Sequence, residues 1–218
     1  MVQLDIISDP ICAWCYIGKT RLERAIKQAG SNPFQITWRP YQLNPDMPPE
    51  GVDRKAYLDA KFGAERAEEF YANIEDTALA DGLKVDFSKI RRTPNSVDAH
   101  RLIRWAFEPG LQTAMVNELF DRFFRCGEDI SKHGVLLDAA EAVGLERPPI
   151  ARLLEGDAER DAVLAEDKQA RKMGVTGVPT FIIAGKHVVT GAQPHDLWVR
   201  VIQDIEAQLS GATLVEAS

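Results

Sequence analysis

Two cysteines, Cys12 and Cys15, are separated by only two residues in this chain. An apolar stretch ending at Ile7 precedes them and breaks at Asp9-Pro10, so we predict that they lie where a strand passes into a helix. The unpaired N–H groups and the positive dipole end of a helix N-terminus favour a thiolate. The spacing also puts both sulfurs on one face of the first turn, within reach of a disulfide. We therefore predict two-electron thiol–disulfide chemistry in which Cys12 attacks and Cys15 resolves.

The composition limits the partners and the compartment. The 218 residues carry 26 basic and 33 acidic side chains, a net charge of −7, which argues against nucleic-acid binding and against an anionic membrane surface. No apolar run approaches the ~18 residues of a membrane span, and the first residues lack a signal-peptide pattern. Three cysteines are too few for a secreted disulfide scaffold. We predict a cytoplasmic protein without membrane contact.

A metal site is a poor explanation of the cysteine pair. Zinc usually draws four Cys or His ligands, and no histidine pair here has ligand spacing. The remaining cysteine, Cys126, follows aromatic residues in a helical pattern. We predict no metal and interpret Cys126 as a semi-buried packing residue, with a regulatory thiol as the alternative.

The first and last segments of the chain predict the strands. Residues 2–7 read as a buried strand, the helix that follows ends at Gly30, and residues 34–38 alternate as a second strand. A helical crossover between them implies a parallel pair. Near the end, residues 180–183 and 187–189 flank a short turn and indicate a β-hairpin.

The order of these elements predicts the fold class and its division into parts. Residues 1–45 give strand, helix and strand, and 166–210 give a proline loop, the hairpin and a last helix, before a tail at 211–218. Between them, 46–165 shows helical patterns throughout. The two ends together supply a small mixed sheet with helices on both sides. This matches an α/β thioredoxin fold interrupted by an all-helical insertion domain.

Val178-Pro179 stands at the start of a predicted strand, where proline is tolerated because it need not donate to the ladder. Only about 5–6% of X-Pro bonds are cis, so taken alone this bond reads as trans. In thioredoxin-fold proteins a proline at this place is cis and lies against the cysteine pair. Combined with the cysteine spacing and the strand order, the cis reading is favoured.

Four motifs together resemble the DsbA-like thioredoxin family, and within it the FrnE-type branch described as polyketide-biosynthesis dithiol–disulfide isomerases. They run over nearly the whole chain: Asp9-Pro10 with Cys12-Ala13-Trp14-Cys15-Tyr16-Ile17-Gly18, Asn95-Ser96 with His100-Arg101-Leu102, Gly174-Val175-Thr176-Gly177-Val178-Pro179-Thr180, and Gly191-Ala192-Gln193-Pro194. The resemblance implies Cys12 as nucleophile, Cys15 as resolving thiol and Pro179 as the cis-proline. The chain departs from the pattern of this branch at Ala13, where proline is frequent, so the direction of redox catalysis stays open.

The same resemblance suggests substrate-binding residues and partners. Trp14 lies between the two thiols in the sequence, and for that reason we expect it to be exposed on the rim of the active site, with Val178 as a further substrate-binding candidate. Asn95, Ser96 and His100 are candidates for the groove. Their structural alternatives are a helix N-cap for Ser96 and a domain-seam residue for His100. The expected substrates are disulfide-containing proteins or small thiols, with no organic cofactor but glutathione as a candidate redox partner, and an exposed helical face would support a homodimer.

A related branch gives the alternative function. Kappa-class glutathione transferases and 2-hydroxychromene-2-carboxylate isomerases share the split fold but typically carry serine where Cys12 stands. There the hydroxyl supports a glutathione thiolate. Both cysteines are present here, which favours dithiol chemistry over a glutathione-dependent isomerase or transferase.

Overall fold

The first and last segments of the chain build one mixed sheet in this computed structural model, which describes residues 1–216. Among these, the side chains of Ala64, Glu65, Ala67, Glu68, Phe70 and 212–216 lie outside the description. The strands are β1 (Val2–Ser8), β2 (Phe34–Pro40), β3 (Val52–Asp53), β4 (Arg92–Thr93), β5 (Thr180–Ile183) and β6 (His187–Thr190). Four of them form a sheet in the order β2-β1-β5-β6.

The pairing in this sheet agrees with the sequence pattern. Strand β1 runs parallel to β2, with Val2 opposite Phe34, and antiparallel to β5, with Ile7 opposite Thr180. Strand β5 continues into β6 as the predicted antiparallel hairpin. Because Leu4 and Ile6 of β1 are fully buried, a slip of one residue would turn the apolar side of the strand outward, and this fixes the register.

Helices occupy most of the remaining chain. Their bounds are α1 (Ala13–Ala29), α2 (Arg54–Phe62), α3 (Ala64–Ala80), α4 (Val97–Trp105), α5 (Gln112–Phe120), α6 (His133–Ala142), α7 (Arg147–Glu155), α8 (Arg160–Lys172) and α9 (His195–Glu216). A 3₁₀ turn at Phe87–Lys89 and a π-helical segment at Asp121–Cys126 complete the insertion. None of the helices within residues 1–216 has the length and apolar character that crossing a bilayer requires.

Helix α1 carries the cysteine pair and joins both parts of the structure. It ends at Gly30, whose φ of 76° is a left-handed conformation that glycine adopts without strain, and the Gly30 N–H bonds the Ile26 carbonyl. On one side α1 packs against α9. On another, the Tyr16 ring stacks on Phe120 with centroids 5.0 Å apart, and its hydroxyl donates to Asp121. The insertion is therefore anchored directly to the helix that holds the thiols.

The observed architecture is the predicted one, a split α/β fold with a helical insertion. The insertion also contains a ladder of two residues per strand between β3 and β4, and helix α7, neither of which the sequence pattern indicated. The predicted boundary at 165/166 falls inside α8. Helix α9 continues to Glu216, through most of the predicted tail, and residues 217–218 lie outside the described residues.

Candidate active site

The strand directions bring three loops to one edge of the sheet. Parallel strands β1 and β2 end together, with Ser8 opposite Pro40, and β5 begins at that same edge because Thr180 pairs with Ile7. The loop holding Cys12, the loop after Pro40 and the loop before Thr180 therefore meet. This convergence explains how residues from both ends of the sequence build one site.

Cys12 is the N-cap residue of α1, where a polar side chain can accept from an unpaired helical N–H. Its Sγ accepts the backbone N–H of Cys15 at 3.3 Å and lies 3.6 Å from the carbonyl oxygen of Val178. The Cys12 N–H in turn donates to the Asp9 carbonyl at 2.9 Å. The sulfur is thus held by the first turn of the helix, as a nucleophile placed for attack requires.

Cys15 lies one turn inside the same helix and is 1% exposed. Burial, and then its hydrogen bond and charge interaction with Cys12, raise the pKa of the Cys15 thiol well above the usual value. Two contacts act the other way, from the Ser8 hydroxyl and the Asp9 N–H. Cys15 therefore holds its proton in the reduced protein, which suits a resolving thiol that is called on only after Cys12 has reacted.

The Val178–Pro179 peptide bond is cis, as the family resemblance implies. The proline ring contacts α1 at Gly18, because a Cβ built on Gly18 would stand 3.0 Å from the Pro179 Cγ and 3.3 Å from the Ala192 Cα. Only a residue without a side chain lets the proline loop approach the helix this closely. The close approach of the proline loop therefore explains, on steric grounds, why residue 18 is glycine.

Asp9 lies directly below the cysteine loop and is fully buried. One carboxyl oxygen accepts the Ile11 N–H at 3.2 Å and the other accepts the Leu43 N–H at 2.7 Å, so Asp9 joins two of the three converging loops. Burial raises the pKa of Asp9 to about 7, although these two bonds and one from Ser96 act to lower it. In the sequence, Asp9 is recognisable only as a strand break and as part of a motif.

His100 and Ser96 are brought to Asp9 rather than to the cysteines. The His100 Nε2 donates to the Tyr41 carbonyl at 3.1 Å and lies 3.8 Å from the Asp9 carboxyl, and burial lowers the pKa of His100 to about 4. The histidine lines a separate cleft of about 550 Å³. Ser96 occupies the N-cap position of α4 without a capping bond from its side chain, because its hydroxyl bonds Asp9.

Asn95 makes local bonds. Its amide donates to the Met47 carbonyl at 2.6 Å and its side-chain oxygen accepts the Val97 N–H at 2.9 Å. Its side chain therefore secures the start of α4. A role of Asn95 in substrate binding stays a prediction, and so do such roles for Ser96 and His100.

A pocket of about 240 Å³ opens beside Cys12. Trp14 and Val178 line it from one side; Trp14 is half-buried rather than exposed as expected, and a role of either residue in substrate binding stays a prediction. The insertion supplies the other side, including Arg54 and Thr93, which no local sequence pattern indicated. Arg54 and Thr93 reach the pocket through the pairing of β3 with β4.

Cys126 is exposed at the end of the π-helical segment. The prediction of a semi-buried packing residue is therefore wrong. The apolar pattern around it belongs to Phe123 and Phe124, which are buried, whereas Cys126 falls on the outer side.

The chain is similar to known proteins along nearly its whole length. Residues 3–203 match the DSBA-like thioredoxin domain. The chain is 27% identical over 204 residues to the uncharacterized protein YwbO of Bacillus subtilis, covering 93% of this chain and 96% of that one. A crystal structure of a probable DsbA oxidoreductase from Streptomyces coelicolor superposes with a TM-score of 0.84 at 26% identity, covering 95% and 91% of the two chains.

Two further structures share the fold at lower identity. A 2-hydroxychromene-2-carboxylate isomerase gives a TM-score of 0.70 at 15% identity, with 99% and 100% of the chains covered. The cytosolic disulfide reductase DsbM from Pseudomonas aeruginosa, solved with GSH, gives 0.67 at 20%, with 95% and 99% covered. The family match spans the cysteine helix, the insertion and the proline loop alike, and the chain belongs to the DSBA-like thioredoxin domain family.

Proposed function

We propose that the protein is a dithiol–disulfide oxidoreductase in which Cys12 attacks a substrate disulfide and Cys15 resolves the product. The observation that carries the proposal is the arrangement of the two thiols. Cys12 caps the helix and lines the pocket, while Cys15 lies behind it, its N–H bonded to the Cys12 sulfur at 3.3 Å. Both thiols are buried, with Cys12 4% and Cys15 1% exposed, but Cys12 lines the pocket and Cys15 does not, so a substrate in the pocket meets Cys12 first.

The reaction follows from this order. The Cys12 thiolate attacks one sulfur of a substrate disulfide, so that a mixed disulfide forms and one substrate thiolate leaves with a proton from solvent. The Cys15 thiol then loses its proton and attacks the Cys12 sulfur. The Cys12–Cys15 disulfide forms, the second substrate thiol leaves, and two electrons have passed from protein to substrate.

Reduction or isomerisation in the cytoplasm, with glutathione as redox partner, is the direction we propose. A thiol-rich compartment opposes net formation of protein disulfides. The cytosolic DsbM, which shares the fold and whose structure contains GSH, supports the same direction. No organic cofactor is required, because both electrons are carried by the two sulfurs.

A glutathione redox titration tests the proposal. Fluorescence of Trp14, which stands between the two thiols, should report a reversible two-electron transition that disappears in Cys12→Ser, with Trp14→Phe as the control for the signal. The midpoint would place the protein between about −270 mV at the reducing end and about −120 mV at the oxidising end. Absence of any transition in the intact protein contradicts the proposal.

The alternative is a glutathione-dependent isomerase or transferase, since the 2-hydroxychromene-2-carboxylate isomerase shares the fold. Such an enzyme needs one group to hold a glutathione thiolate and has no use for a resolving thiol. Saturable glutathione binding and turnover that survive Cys15→Ser would favour this alternative. The predicted homodimer is a separate proposal, which sedimentation equilibrium tests.

A further inference from the structure

The pocket beside Cys12 is cationic although the chain as a whole is acidic. Two cations, Arg54 and Lys61, line it, and its described lining contains no aspartate or glutamate, whereas the net charge of the chain is −7. The Lys61 ammonium donates to two neutral oxygens, the Tyr57 hydroxyl at 2.6 Å and the Asn44 side chain at 3.2 Å. The local field therefore favours an anion.

The Arg54 guanidinium has a hydrogen-bond donor that no described residue accepts. The guanidinium lies 4.5 Å from the ring centroid of Tyr71 and 5.5 Å from that of Phe87. The Nη2 atom is buried without a hydrogen-bond partner among the described residues. A buried donor without an acceptor costs about 1–3 kcal/mol, and more when it is charged. The two rings pack against the guanidinium at the pocket wall, and its Nη2 donor stays unsatisfied among the described side chains.

Thr93 supplies a second, independent observation. It is 4% exposed, its Oγ1 has no hydrogen-bond partner among the described residues, and it lines the same pocket. The short β3–β4 ladder pairs Asp53 with Arg92, and the Arg54 N–H bonds the Arg91 carbonyl at 3.0 Å. The ladder that the sequence did not indicate thus brings both unpartnered groups to one wall.

We propose that this pocket binds the carboxylate of a small thiol or disulfide substrate, with Arg54 and Thr93 donating to it while the substrate sulfur meets Cys12. A guanidinium and a hydroxyl both donate, and a carboxylate offers acceptors for both. The aromatic and aliphatic walls suit an apolar body, and about 240 Å³ admits a compact molecule rather than a polypeptide segment. The inference rests on the proposed function, because it names the substrate class of that same dithiol.

The covalent step is unchanged by this recognition. The Cys12 thiolate attacks the disulfide sulfur nearer the bound carboxylate, and the other half of the substrate leaves as a thiol after taking a proton from solvent. Cys15 then displaces the bound half, and its carboxylate leaves the pocket with it. The oxidised dithiol is reduced again by two molecules of glutathione, which become glutathione disulfide.

Three small disulfides of similar size test the assignment: 3,3′-dithiodipropionate is anionic, bis(2-hydroxyethyl) disulfide is neutral and cystamine is cationic. The rate of oxidation of the reduced protein is measured with each of them. We expect the intact protein to prefer the anionic disulfide. Arg54→Gln should slow that reaction by about tenfold or more and leave the neutral one within about twofold. Thr93→Val, of nearly equal volume, should cause a smaller selective loss.

Arg91→Gln is the matched control, because this substitution removes the same charge. Arg91 is exposed and does not line the pocket. This variant should leave the anionic preference intact. Equal loss with all three disulfides in Arg54→Gln, or no anionic preference in the intact protein, would overturn the carboxylate site. If the intact protein reacts with none of the three, the proposed dithiol function itself has failed.

Discussion

The sulfur of Cys12 lies 3.6 Å from the carbonyl oxygen of Val178, a residue 166 positions later in the chain. As a thiol, Cys12 donates to this carbonyl. The proposed mixed disulfide on Cys12 has no proton to donate, so we expect the Val178 oxygen in that intermediate to accept instead from a donor on the substrate.

The first prediction concerns the order of attack. Cys15→Ala should accumulate a mixed disulfide on Cys12 with cellular thiols, because the resolving sulfur is missing. Cys12→Ser should accumulate none. Mass spectrometry of the purified variants, without reductant, measures both. Equal trapping by the two variants would contradict the assigned roles, and Cys126→Ser, which changes the exposed third cysteine, is the control.

Gly18→Ala should destabilise the protein by about 1–3 kcal/mol, although alanine is the better helix former by about 1 kcal/mol. The added Cβ would meet the Pro179 ring at 3.0 Å and the Ala192 backbone at 3.3 Å, neither of which yields easily. Urea unfolding measures the change. The matched control is Gly134→Ala in α6, where nothing lies within 4 Å and stability should be equal or higher.

The contributions of Asp9 and His100 to the pH dependence of stability should cancel each other. Burial raises the pKa of Asp9 from 3.8 to about 7 and lowers that of His100 from 6.5 to about 4. Between about pH 4 and 6.5 the folded pair holds one proton, on Asp9, and the unfolded pair also holds one, on His100. Unfolding therefore neither takes up nor releases a proton at this pair, and the pair adds no slope to stability in this window.

Replacing either residue alone should leave the slope of stability against pH that the other residue causes, and the two slopes have opposite signs. In Asp9→Asn the unfolded state binds one more proton than the folded state, so stability should rise with pH between about 4 and 6.5 by about 3 kcal/mol. In His100→Gln the folded state binds one more, so stability should fall between about pH 4 and 7 by about 4 kcal/mol. Urea titrations at pH 4.5, 5.5 and 7 measure both, and parallel profiles for the two variants would contradict the pairing.

Arg101→Lys should destabilise the insertion by about 2–4 kcal/mol. Arg101 is fully buried, and its guanidinium donates to the carbonyls of Leu153, Gly156 and Ala158 at 2.5–2.8 Å. Lysine keeps the charge but cannot reach all of these acceptors, so buried carbonyls lose their donors. Chemical unfolding followed by circular dichroism measures the loss.

The control for that loss is Arg104→Lys on the same helix. Arg104 pairs with Glu159 and Glu166 at the surface, where an ion pair contributes little. We expect a change below about 1 kcal/mol. A loss as large as that of Arg101→Lys would mean that the buried carbonyls are not the cause.

Local sequence was informative wherever a property repeats along the chain. The alternation around β1 and β2, the glycine after α1 and the cysteine spacing all predicted elements that the structure contains. The sequence pattern did not predict strands β3 and β4, because a strand of two residues cannot show alternation. The sequence did not indicate the roles of Arg54 and Asp9 for another reason: charged residues are ordinarily exposed, and contacts with distant parts of the chain bury Asp9 and the Nη2 atom of Arg54. Cys126 was assigned to the wrong side because the π-helical segment shifts the helical phase.

The interruption of the sheet by the insertion has a consequence for synthesis on the ribosome. Strand β1, Cys12 and Cys15 are made first, whereas β5, which borders β1, and the Val178 carbonyl that contacts Cys12 are made after the whole insertion. Until then the nascent chain has β1 with one neighbour and a dithiol lacking part of its surroundings. The two cysteines are thus synthesised well before the residues that complete their surroundings.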